Sequence, residues 1–73
     1  MQIEEAAKIL SAMYHQALPK EKALSIHLFG IKYSDEIRDM PSKEIAERAG
    51  IKVSYGAEIR KGINLAKYVK VRG

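Results

Sequence analysis

Ser42-Lys43-Glu44-Ile45-Ala46-Glu47-Arg48-Ala49-Gly50-Ile51-Lys52-Val53-Ser54-Tyr55-Gly56-Ala57-Glu58-Ile59-Arg60-Lys61-Gly62 is the stretch that decides how this 73-residue chain folds. Pro41 separates it from what precedes, and Ser42 suits the N-cap of a new helix, its hydroxyl accepting from a free amide of the first turn. Glu44 adds negative charge where the helix dipole favours it. A short helix over 43–49 is expected to stop at Gly50, and a second over 54–61 to stop at Gly62. Two helices this short, joined by a tight turn, must cross closely and share one apolar plug. Ala46 supplies the small residue at the crossing, and Gly50 supplies a turn residue that tolerates positive φ. Ile51 drops into the plug beside Ile45, Ala49 and Ile59.

Such a pair is a helix-turn-helix, whose second helix lies in the major groove of DNA. The stretch resembles the phage-repressor and Cro-like family of helix-turn-helix regulators. That family's alanine, its glycine four residues on and the apolar residue after it stand here as Ala46, Gly50 and Ile51. Ile59 and Gly62 fall where the family has an isoleucine and a closing glycine. The resemblance covers about 21 of the 73 residues. It implies a groove-facing set of Lys52, Val53, Ser54, Tyr55, Glu58 and Lys61, with Lys43 clamping the DNA backbone from the start of the first helix. Lys52, Arg60, Lys61 and Lys67 are expected to neutralise phosphates. Ser54 can reach a base edge or a phosphate, and Glu58 can accept from a cytosine amino group. Two alternatives stay open: Glu58 pairs with Lys61 or Lys52 instead, and Tyr55 either packs on the DNA or fills the core.

Three positions depart from the family. Gly56 stands where a buried β-branched residue is usual, and an interior helix glycine costs about 1 kcal/mol relative to alanine. Lys52 occupies the cap position but cannot accept an amide hydrogen bond, which leaves Ser54 as the cap. About 40 residues precede the motif and about 11 follow it, an unusual division for that family.

The rest of the chain reads as helical support. Ile3, Ala6, Ala7, Leu10, Met13, Tyr14 and Ala17 recur at three- and four-residue steps, which predicts an amphipathic helix over 2–17, ended by Pro19. Its stripe serves either as core or as the seam of a homodimer. A second helix from Lys20 or Glu21 carries Ala23, Leu24, Ile26, Leu28, Phe29 and Ile31, apolar on several faces and so central. One long helix, bent or straight, is expected here, with Gly30 either a mid-helix glycine that allows a close approach or a cap after which Ser34 or Asp35 restarts a short helix ending near Asp39. Beyond Gly62 the chain forms either a last helical turn through Tyr68 or a short strand over 68–72. The expected fold is all-α: a four- to five-helix bundle spanning 1–73, with two supporting helices in 1–40 and the helix-turn-helix in 42–62.

Charge is unevenly placed. The chain carries +4 overall, yet residues 1–41 hold five basic and six acidic side chains while 42–73 hold eight basic and three acidic. A basic second half points to a polyanionic partner. There is no cysteine to make a disulfide or a thiolate metal site. His15 and His27 show no metal-ligand spacing, and the serines Ser11, Ser25, Ser34, Ser42 and Ser54 have no elbow or triad around them. No apolar run approaches the ~18 residues of a membrane span, and Glu4 and Glu5 stand where an export signal would be positive. The expectation is therefore a soluble, cytoplasmic, non-enzymatic protein with no cofactor, metal, membrane or small-molecule partner. Duplex DNA is its partner as a small transcriptional regulator or a targeting domain, alone or as a homodimer. The alternative is a protein-interaction module that keeps the shape without the DNA role.

Overall fold

The apolar stripe at the N-terminus becomes helix α1, Ile3–Gln16, one residue shorter at each end than its spacing predicts. Ala6, Ala7 and Leu10 are buried on its inner face, with Ile3, Ile9, Met13 and Tyr14 packed alongside. That stripe is core of its own molecule. Leu18, directly before Pro19, is extended at ψ 153°, the geometry a following proline ring imposes. A 3-10 turn, Pro19–Glu21, then leads into α2, Lys22–Lys32. The computed structural model describes residues 1–71.

Helix α2 is central, as its composition predicts: Ile26 and Phe29 are fully buried, and it packs against α1. It does not continue as one long helix towards Asp39; the restart at Ser34 that the sequence left open forms instead. Tyr33 leaves helical geometry at ψ 21°, and a separate helix α3, Ser34–Ile37, restarts behind it. The bend folds Ile37 into the core that Phe29 occupies. A straight continuation would carry Ile37 away along the axis at about 1.5 Å per residue. Gly30 is not the cause, since the break falls three residues past it.

Helix α4, Ser42–Arg48, begins on Ser42 rather than after it. Pro41 holds the cap position, and the Ser42 hydroxyl faces inward to accept from Arg60 Nε at 2.8 Å, so it caps nothing. At the other end the turn closes as a Schellman motif. Ile51 N donates to Ala46 O and Gly50 N to Glu47 O, both at 3.1 Å, with Gly50 at φ +79°. Arg48 ties the same end to α1 through Glu4 at 2.8 Å and to Glu44 at 2.7 Å.

After Lys52 the chain makes a 3-10 turn, Val53–Tyr55, and enters α5, Gly56–Leu65. The helix starts two residues later than expected and runs past Gly62, which lies buried inside it and ends nothing. The reason lies on α2. A Cβ on Gly62 would stand 2.5 Å from His27 O and 2.9 Å from Gly30 Cα; one on Gly30 would stand 2.6 Å from Ile59 O. The two glycines let α2 and α5 meet backbone to backbone. After Leu65 a last turn closes with Tyr68 N donating to Leu65 O at 2.9 Å. No strand forms among the described residues, and Arg72 of the expected strand lies outside them. Among the described residues the result is an all-α fold of five α-helices, α1 and α2 flanking the α4–α5 pair. Among the described residues no helix is long and apolar enough to cross a membrane.

Candidate nucleic-acid interface

The α4–α5 pair is built as the alanine–glycine spacing requires. Ile45, Ala46 and Ile59 are fully buried, Ala49 nearly so, and Ile51 packs against them. Gly56, the residue that departs from the family pattern, sits buried at the start of α5. A Cβ there would meet Lys43 N at 3.0 Å and Lys43 Cα at 3.1 Å. A side chain at that point requires Lys43 to give way by a few tenths of an ångström. The first residue of α5 therefore rests on the backbone of α4, and Lys43 is brought beside the opening of the second helix.

Lys43, Lys52, Val53 and Ser54 are all exposed around that opening. Lys52 is extended at ψ 136° and makes no cap, and Ser54 makes none either, because the 3-10 turn intervenes before α5 begins. Tyr55 is half-buried, its ring packed 5.6 Å from the ring of Tyr14 and against the core. Lys61 is exposed, with its Nζ 3.4 Å from Glu58 Oε2. Lys67 lies past the far end of α5, about 15 Å of helix away from the Lys43–Lys52 cluster.

Two members of the expected set are engaged inside the molecule. The Arg60 guanidinium donates through Nε to Ser42 Oγ at 2.8 Å, through Nη1 to Arg38 O at 2.8 Å and through Nη2 to Met40 O at 2.6 Å. It binds the α3–α4 connection to α5, with its planar fork matched to three acceptors. Glu58 turns to α2, where His27 Nε2 donates to its Oε1 at 2.6 Å. That hydrogen bond, followed by the one from Lys61, holds the Glu58 carboxyl below its usual range against the opposing effect of burial. The pairing with Lys61 left open in the sequence is present, and a stronger one with His27 accompanies it.

The outward face of α5 adds two residues that the sequence reading did not single out. Ser54, Ala57, Lys61 and Asn64 are exposed at helical spacing, opposite buried Ile59, Gly62 and Ile63. Asn64 escapes notice when Gly62 is taken as the end of the helix. Extending the 3.6-residue period from Ile59 through Ile63 finds it. Among the described residues no three histidine or carboxylate side chains converge as a metal site would require.

Residues 2–72 match the family described as HTH-like domain, and the chain belongs to that family. The match identifies a helix-turn-helix domain and does not single out the phage-repressor and Cro-like group. No curated protein and no solved structure matches the chain.

Proposed function

Starting from that membership, we propose that the chain binds duplex DNA through α4 and α5, as a small regulator or as the targeting domain of a larger protein. The observation that carries this reading is the cluster of exposed Lys43, Lys52, Val53 and Ser54 at the opening of α5. Lysines there supply sequence-independent affinity through phosphates, while the outward stripe of α5 faces base edges. Lys43 and Lys52 clamp the backbone. Ser54, Lys61 and Asn64 read polar edges, asparagine being suited to adenine, and Val53 with the rim of Tyr55 packs on thymine methyls or sugars. Lys67 makes a backbone contact beyond the far end of the helix. Glu58 and Arg60 act as positioning residues, the first on α2 and the second on the α3–α4 connection.

The test is a titration of the purified chain against duplex DNA at rising salt. Binding should weaken with a log–log slope near −0.9 for each phosphate neutralised. Reversing Lys43 and Lys52 together to glutamate should abolish the complex for every DNA sequence. Asn64→Ala should flatten preference between sequences with little change in the salt slope. Absence of any complex at low salt would end the proposal.

A second reading rests on one specific feature. Met13, Ala17, Leu24 and Leu28 line a shallow apolar groove between α1 and α2, with Leu24 about half exposed. A protein-interaction module would use that face. Binding through it should survive the Lys43 and Lys52 reversals.

A further inference from the structure

A second basic site lies away from the opening of α5. The end of α2, helix α3 and the segment after α5 enclose a cleft of about 360 Å³, lined by Lys32, Ser34, Arg38, Lys67 and Lys70 among others. Four basic residues line it and one acidic one, Asp35, which Arg38 holds at 3.2 Å, while Lys32 carries its Nζ 5.8 Å from the centre of the Tyr33 ring. The local balance is therefore strongly positive. Like charges gathered around a concave surface repel one another, and an anion placed among them relieves that repulsion.

Ser34 gives the cleft a hydroxyl-bearing wall residue as well. It lines the cleft as a largely buried residue, although no fully buried side-chain oxygen or nitrogen among the described residues lacks a hydrogen-bond partner. The other two buried serines lie away from the cleft and are engaged elsewhere: Ser25 donates to Lys22 O at 2.6 Å, and Ser42 accepts from Arg60 at 2.8 Å. A hydroxyl on the wall of a cleft lined by lysine and arginine side chains complements an oxyanion. It donates to an oxygen whose charge the surrounding cations neutralise.

We propose that this cleft binds a phosphate group, held by Lys32, Lys67, Lys70 and Arg38 and oriented by the Ser34 hydroxyl. Two sources share that chemistry: the backbone of the duplex held by the helix-turn-helix, and a free phosphorylated small molecule. In its first form the inference rests on the proposed DNA binding; in its second it stands without it.

The experiment uses the full chain, followed by amide NMR, with short duplex DNA in one arm and inorganic pyrophosphate in the other. Lys32→Gln with Lys70→Gln removes two exposed charges and touches none of the residues proposed to clamp DNA at the opening of α5. Ser34→Ala removes the hydroxyl. If the phosphate belongs to the duplex, the double variant should make the log–log salt slope about 1.8 shallower, at 0.9 per lost contact, uniformly across DNA sequences. Pyrophosphate would then leave the cleft amides unmoved. If the ligand is a free phosphorylated compound, pyrophosphate should give saturable shifts at residues 32, 34, 38, 67 and 70. Both variants should abolish those shifts while the salt slope stays unchanged. Cleft amides that move with neither probe, or shifts that never saturate and survive both variants, overturn the proposal. DNA binding lost on reversing Lys43 and Lys52 beside a silent cleft leaves the helix-turn-helix reading standing alone. Saturable pyrophosphate binding without any DNA complex leaves the cleft standing alone.

Discussion

Helix α5 meets its two neighbours in different ways. Against α4 it makes a side-chain plug of Ile45, Ala46, Ala49 and Ile59, with Gly56 resting on the backbone at Lys43 and Arg60 reaching across to the connection before α4. Against α2 the middle of the helix has no side chain between the backbones, because Gly62 faces Gly30. The α4 contact is the one that the motif announces. The α2 contact lies outside the motif, and it fixes the distance at which the second helix stands from the rest of the molecule. Side chains in a plug can shift rotamers to accept change, whereas carbonyls and Cα atoms held in two helices cannot.

That contrast can be broken at several points, with effects of decreasing size. Gly62→Ala should be the most damaging, since its Cβ would stand 2.5 Å from His27 O and the helices must part. The loss is about 3 kcal/mol, the upper part of the overpacking range, and a fall in Tm on the order of 15 °C is expected by calorimetry. An alanine that stabilised the chain, as helix propensity alone predicts, would disprove the backbone contact. Arg60→Lys comes next, at about 2 kcal/mol by denaturant unfolding. It retains the charge and forfeits the fork that serves Ser42, Arg38 O and Met40 O. If it unfolded like the wild type, the three hydrogen bonds would contribute nothing as a set.

Gly50→Ala should cost about 1 kcal/mol from the positive φ alone, as nothing stands within 4 Å of a Cβ there. Gly50→Asn should recover part of that loss, because asparagine visits the left-handed region more readily. Equal destabilisation by both would point to a cause other than φ. The smallest effect is pH-dependent. Glu58 titrates below its usual range when folded, so the unfolded chain binds the proton more readily. The contribution is fully present above the ordinary carboxylate pKa and is lost as pH falls through the lower folded value. Glu58→Gln should flatten that acid limb in a series of thermal melts. An unchanged limb would mean that the bond to His27 is immaterial to stability.

The same contrast marks where sequence reading ended. Helix α1 was legible because its period is local, and the α4 turn was legible because Ala46, Gly50 and Ile51 lie within six consecutive residues. Gly62 was not, and Gly30 was half legible, a mid-helix close approach being one of its two readings with no partner in view. Gly62 read locally signals a stop, and its role here depends on another glycine 32 positions away meeting it across a helix crossing. Reading Gly62 as an end also shortened α5 and hid Asn64. Arg60 looked like a phosphate ligand because a surface arginine and an arginine bonded to loop carbonyls are identical in sequence. Two of its three acceptors are backbone oxygens, which no residue pattern displays.

With only main-chain atoms where α2 and α5 cross, there is no cushion between them. Any push that displaces one must carry the other along, because no rotamer can take up the slack. Amides on either side of Gly30 and Gly62 should therefore exchange with deuterium together, on one timescale, even though they belong to segments that the motif treats as unrelated.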